Sequence, residues 1–140
     1  MPITIKDKLE DVIPFLEDVR TGADTAKEEL GFLPKAAYEA FAASGKLFVA
    51  TATASGVEAY AGHLMFGGIY PHAKIFQLFV TSTFRGHGIA RQLLGVLKKR
   101  LISGQWLSIK ASVADDLASQ LGLGTNRLPD RQNQGWGRSP

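Results

Sequence analysis

Leu9, Val12, Ile13, Leu16 and Val19 recur at helical spacing with acids between them, which predicts an amphipathic helix near the start of the chain. Pro14 falls inside this run and predicts a kink, or a helix that begins nearer Pro14. Residues 22–25 read as a break. Leu33-Pro34 opens a second helix, with proline in the tolerated first turn, Gly45 as C-terminal cap, and Ala37, Phe41 and Tyr38 facing inward. From Leu47 the period changes. Residues 47–54 are strand-like, Ser55-Gly56 signals a hairpin turn, and residues 57–66 form the return strand, weakened at its end by Gly67 and Gly68. After a Tyr70-Pro71-His72 loop, residues 74–80 predict a third strand. A helix from about Gly88 to Leu101 comes next, ended by Ser103-Gly104, and then a strand over 106–113. The order is helix, helix, strand, strand, strand, helix, strand. The crossover rule makes the strands flanking helix 88–101 a parallel pair. No internal repeat is present. Residues 122–140 are rich in Gly, Asn, Gln, Arg and Pro and read as a poorly ordered tail, with Trp136 the exception.

Composition narrows the classes. The 140 residues suit one domain, and 45% hydrophobic content is ordinary for a folded chain. The net charge of +3 is too small to argue for nucleic acid, and no basic stripe with interleaved aromatics exists; a polyanionic cofactor would account for the excess. The absence of cysteine excludes disulfides, thiolate catalysis and cysteine-ligated metals. The residues from Met1 to Lys6 are not a signal peptide, and no apolar run reaches membrane-spanning length, so a cytoplasmic protein is expected.

The most informative stretch is Val80-Thr-Ser-Thr-Phe-Arg85-Gly-His-Gly88-Ile-Ala-Arg91. An apolar strand stops, a glycine-bearing turn comes after it, and a helix opens. That arrangement aims several main-chain N–H groups at one anion. The helix start adds partial positive charge, and Arg85 and Arg91 stand on either side. A phosphate or pyrophosphate binder is expected. A dinucleotide fingerprint fits worse, because Gly86-x-Gly88 is followed by Arg91 rather than glycine, and no P-loop Gly-Lys-Ser/Thr is present.

Arg85-x-x-Gly88-x-Ala90 resembles the Gln/Arg-x-x-Gly-x-Gly/Ala signature of the GNAT superfamily of N-acetyltransferases, and residues 84–90 resemble its fuller form. The element order is similar too, with Ile3-Thr4-Ile5 as the short first strand. The resemblance covers residues 1 to 118. It implies an α/β (α+β) fold: a mixed, mostly antiparallel sheet with flanking helices, in a domain over residues 1–120 with an irregular tail over 121–140. It implies that the pyrophosphate of acetyl-CoA falls to Arg85, Gly86, His87, Gly88, Ile89 and Ala90, with Arg91 nearby. It places the pantetheine arm on the backbone of Leu78, Phe79 and Val80. It puts residues 30–34 near the acceptor, although core anchorage by Phe32 and Leu33 is the plainer reading.

The C-terminal part departs from the family. Asp115-Asp116-Leu117-Ala118-Ser119 begins a helix, but the expected Asn, aromatic and Gly-Phe segment and the final strands are not there, so the domain reads as truncated. Codons for Gln120 onward, shifted by one base, can spell Asn-Trp-Val-Trp-Glu-Arg-Thr-Gly-Phe-Gln, which points to a frameshift that the nucleotide sequence would settle. Uncovered sheet would favour association, so a homodimer is expected.

Acetyl transfer to an amine needs a proton acceptor, polarisation of the carbonyl and a proton for the thiolate. Family members often carry a glutamate on the strand matching 74–80; here the polar residue is Gln77, which is no base. His63, able to titrate near neutrality, is a candidate beside its plainer reading as a strand histidine, and Glu58 and Tyr60 are weaker candidates. Tyr70 and His72 read as loop anchors, and His87 as a phosphate contact. No metal is expected: His63, His72 and His87 lack ligand spacing. Two functions fit these residues. One is an N-acetyltransferase using acetyl-CoA on an unidentified primary amine of a small molecule or peptide. The other is a catalytically impaired acyl-CoA-binding or interaction module.

Overall fold

Ile3 and Ile5 leave β1 (Ile3–Lys6) on one face, and this short strand pairs antiparallel with β2 (Leu47–Ala54). The structure, a computed structural model, describes residues 2–25, 33–111 and 125–127. Between β1 and β2, among the described residues, run three α-helices. Pro14 produces the expected interruption: α1 (Leu9–Val12) passes into a 3-10 turn over Ile13–Phe15 and then α2 (Leu16–Thr25). Residues 22–25 lie in α2, not in a break, because Gly22 and Ala23 are buried against the sheet and burial outweighs poor local propensity. Pro34 caps α3 (Lys35–Ala43), whose buried positions are Tyr38 and Ala42.

A hairpin joins β2 to β3 (Val57–Ile69), which pairs with β4 (His72–Val80). Strand β3 does not fail at Gly67 and Gly68; both pair with β4, opposite Lys74 and Ala73. The crossover helix α4 (Ile89–Ser103) leads to β5 (Ser108–Ala111), which is parallel to β4. Strand β6 (Thr125–Arg127) then pairs antiparallel with β5, so the six strands among the described residues lie in chain order. These three residues fall in the stretch expected to be irregular. An edge strand is held by main-chain hydrogen bonds and needs no apolar pattern, so composition hides it. The outer edge of β5 is therefore paired over Ser108–Lys110. The expected helix at 115–119 and the rest of the tail lie outside the described residues.

The sheet buries both faces. On one, Phe48, Ala50, Ala61, Leu64, Ile75 and Leu78 meet the α4 stripe Ile89, Leu93, Leu94, Leu97 and Leu101. On the other, Leu47, Val49 and Met65 meet Val12, Val19, Ala23, Tyr38 and Ala42 from the N-terminal helices. Arg100 on α4 ties the layers: its guanidinium donates to Asp7 Oδ2 at 2.9 Å and to the Gly45 carbonyl, and it lies 4.8 Å from the Phe48 ring centroid. Arg100→Ala is expected to lose about 1–2 kcal/mol in urea denaturation, with packing on Phe48 outweighing the half-exposed ion pair.

Two bulges break the alternation of side chains. Opposite Ala50 and Thr51, β3 contributes Gly62 and Tyr60, which leaves Ala61 as an extra residue. Opposite Met65 and Phe66, β4 contributes Gln77 and Ile75, which leaves Phe76 extra. A bulge puts two consecutive residues on similar sides and re-aims the side chains beyond it. So Tyr60 and His63, three apart, both reach the α2–α3 face and touch. Phe76 likewise packs edge-on against Phe41 of α3, while Gln77 bonds Tyr38 of the same helix.

Candidate functional site

Strand β4 ends at a tightly anchored turn. The Thr81 N–H donates to Ala61 O at 2.9 Å, and Ser82–Phe84 form one 3-10 turn with the Phe84 ring packed on the α4-face core. The chain then passes through Gly86 at φ +86° and Gly88 at φ +73°, and Gly88 is the N-cap of α4. Only glycine adopts such angles freely, and here two lie within three residues. A Cβ on either would meet nothing within 4 Å, so the loop faces open space. The first helical bond is Gln92 N–H to Gly88 O. Among the described residues, the main-chain N–H groups from Gly86 to Arg91 have no main-chain acceptor, and no side chain caps the helix. Arg85, Gly86, His87, Gly88 and Arg91 are exposed, Ala90 is half-buried, and Ile89 is buried and anchors the helix start. Arg85 Nε donates to Val80 O at 3.3 Å.

Charge agrees with this loop. Residues 59–114 contain Lys74, Arg85, Arg91, Lys98, Lys99, Arg100 and Lys110 and no Asp or Glu. The small net charge of the chain thus conceals a central segment without carboxylates, a signal readable in the sequence. Free amides at a helix start, two open glycines, adjacent cations and a segment without carboxylates fit a diphosphate.

Beside the loop the sheet opens. Strands β4 and β5 pair only from His72↔Ser108 to Ile75↔Ala111, whereas β4 stays paired with β3 through Val80. Among the described residues, Phe76–Val80 have no strand partner on the β5 side. Leu78 is buried toward α4, while Phe79 and Val80 are half-buried. A main-chain edge leading to a loop of free N–H groups suits an extended ligand arm.

The acid–base candidates separate. His63 is fully buried, and burial pushes its imidazole down to about 4, against the opposing bond from Gln77. This favours the plainer reading of His63 as a strand histidine over that of a base titrating near neutrality, because the sheet and helices strip the water that would stabilise its cation. His63 Nδ1 lies 2.6 Å from Tyr60 Oη, and its Nε2 lies 2.8 Å from Gln77 Oε1. Gln77 Nε2 in turn donates to Tyr38 Oη at 3.3 Å. Burial, then the charge of Asp18, pushes the Tyr60 phenol well up. Glu58 is not part of this group. Exposed at the start of β3, it bonds Lys6 Nζ and Thr51 Oγ1, both at 2.9 Å, and these hold its carboxyl below the usual range. Tyr70 and His72 are anchors, as expected: Tyr70 donates to Gln105 O at 3.2 Å, and His72 Nδ1 lies 2.7 Å from Ser108 Oγ. Gln77 and Tyr38 were not legible as site residues, since only the bulges and α3 bring them to His63.

No helix among the described residues is long and apolar enough to cross a membrane. Among curated proteins none matches the sequence significantly. Solved structures share the fold. The chain superposes on the NatC complex bound to Gag peptide and CoA with a TM-score of 0.72 and 20% identity, covering 87% of this chain and 82% of that one. For Ard1 from Thermoplasma volcanium the values are 0.67 and 19%, covering 87% and 78%. N-Acetylglutamate synthase from Neisseria gonorrhoeae, complexed with coenzyme A and N-acetyl-glutamate, gives 0.68 and 11%; 87% of this chain spans only 28% of that one. The model of the acetyltransferase (GNAT) family matches residues 14–119, which contain the β3–β4 sheet, the glycine loop and α4. The chain belongs to the GNAT acetyltransferase family.

Proposed function

We propose that this protein is an N-acetyltransferase that takes acetyl-CoA and acetylates a primary amine. The observation that carries the reading is the run of main-chain N–H groups from Gly86 to Arg91, without internal acceptors at an open helix start. When bound, acetyl-CoA supplies the activated acyl group. In this reading the amides of Gly86, His87, Gly88, Ile89 and Ala90 hold its diphosphate, with Arg85, His87 and Arg91 adding positive charge. The main-chain edge of Leu78, Phe79 and Val80, without a strand partner on the β5 side among the described residues, orients the arm. CoA bound in the NatC and N-acetylglutamate synthase structures supports the same ligand class here.

Titration calorimetry with acetyl-CoA tests binding, and thiol release across a panel of amines tests turnover. Arg85→Ala is expected to weaken acetyl-CoA binding about tenfold, the size of one charge-assisted contact. Unaltered affinity in that variant would remove Arg85 from the loop's role. Binding without thiol release for any amine would instead favour the impaired acyl-CoA-binding module, which the low proton affinity of His63 also suits.

A further inference from the structure

One polar chain crosses the α2–α3 face of the sheet, and its members are unequally buried. Tyr38, His63 and Gln77 are 1%, 0% and 0% exposed, while Tyr60 is half-buried, so Tyr60 is the outermost member of the chain. Its inner end sets the direction of every hydrogen bond. Gln77 Oε1 is an acceptor only, so His63 Nε2 opposite it carries the hydrogen. A neutral imidazole then has a bare Nδ1, and the Tyr60 O–H must donate to it. The Tyr60 oxygen keeps its lone pairs and has no hydrogen left to offer outward.

That oxygen stands beside the strand segment proposed to carry the acyl arm. A Cβ on Gly22 of α2 would lie 2.9 Å from both Tyr60 Oη and Phe79 Cε2, so these two groups sit together under α2. The His63 ring fills the space behind them, with centroids 6.1 Å from Tyr60 and 5.9 Å from Phe79. Asp18 lies one helical turn before Gly22, on the same side of α2, and its negative charge acts on Tyr60. A hydrogen-bond acceptor within the field of a carboxylate suits a group that carries hydrogens and positive charge.

We infer that Tyr60 binds the acceptor amine through its phenol oxygen and that His63 is the positioning residue that turns its hydroxyl inward. The inference rests on the acetyltransferase reading and names the acceptor side of that site. The substrate class is a primary amine arriving as ammonium, held by Tyr60 Oη and drawn by Asp18. Tyr60 moves no proton in this role. It accepts a hydrogen bond from the nitrogen and aims it past Phe79.

The experiment pairs steady-state kinetics with nitrogen-15 NMR of the histidine ring in the full-length protein at pH 7. Tyr60→Phe removes one oxygen and is expected to raise KM for the amine roughly tenfold to a hundredfold, leaving KM for acetyl-CoA within about twofold. His63→Leu is expected to match it. His63→Asn keeps an acceptor oxygen near the Nδ1 position and is expected to recover most of the amine affinity. A merely structural His63 predicts no such recovery. The spectrum is expected to show Nε2 protonated and Nδ1 bare; the opposite tautomer overturns the inference. Wild-type turnover unchanged in Tyr60→Phe, which keeps the fold even if the His63 variants do not, also overturns it while leaving the acetyltransferase reading intact. Absence of turnover in the unmodified protein, with acetyl-CoA bound, removes both.

Discussion

Replacing Gly86 and Gly88 together by valine is expected to weaken coenzyme A binding at least about a hundredfold while the sheet and α4 stay folded, a factor equal to about 2.7 kcal/mol. Both positions have left-handed backbone, at φ +86° and +73°. A β-branched residue is strained there by roughly 1–2 kcal/mol, so the loop relaxes and re-aims its amides. The new side chains would also project into the open space where a diphosphate would lie. Loss of one or two charge-assisted hydrogen bonds, each about 1.5–3 kcal/mol, accounts for the size of the effect. The core predicts the survival of the fold, because Phe84 and Ile89 anchor both ends of the loop and neither is changed. Calorimetry with coenzyme A checks the first part, and far-UV circular dichroism the second. A fall of less than about threefold in a folded double variant would detach the glycine turn from ligand binding.

The second large effect concerns stability against pH. His63 is neutral and buried in the folded protein, held near 4 by burial, against an ordinary value of 6.5. Between those values the unfolded chain binds a proton that the folded chain refuses. Stability therefore rises with pH across this window: His63's contribution is lost as pH falls from about 6.5 to 4 and constant above it. The full difference is on the order of 3 kcal/mol. Glu17, held down by Arg20, and Glu58, held down by Lys6 and Thr51, act in the same direction, but only around and below their ordinary value of 4.5. Urea denaturation at pH 7 and pH 5 measures the His63 part before those carboxylates matter. His63→Leu is expected to flatten the slope between the two. An unchanged slope in that variant would place the titrating group elsewhere.

These two effects differ in how far the chain alone announces them. The glycine turn is local: Arg85, Gly86 and Gly88 stand between a β run and an amphipathic helix, and neighbouring residues settle their conformation. The element order from the first helix to β5 was equally legible, with the interruption at Pro14, while the short first strand at Ile3-Thr4-Ile5 was expected only from the family resemblance. Local reading failed where burial overrode propensity, as at residues 22–25 in α2, and where main-chain pairing needed no side-chain signal, as in β6.

The chain Tyr60–His63–Gln77–Tyr38 was hidden for another reason. Alternation along a strand separates Tyr60 from His63 and makes neither a partner of Tyr38. The extra residues Ala61 and Phe76 reverse that alternation, and nothing in their identity marks a bulge. Burial then turns His63 from a candidate near-neutral base into a neutral acceptor. What the sequence by itself determined is the family, the order of elements through β5 and the glycine turn before α4, because these depend on contiguous residues. The tertiary structure alone decided which side chains share a face and which lose their water, because register and burial arise between segments distant along the chain.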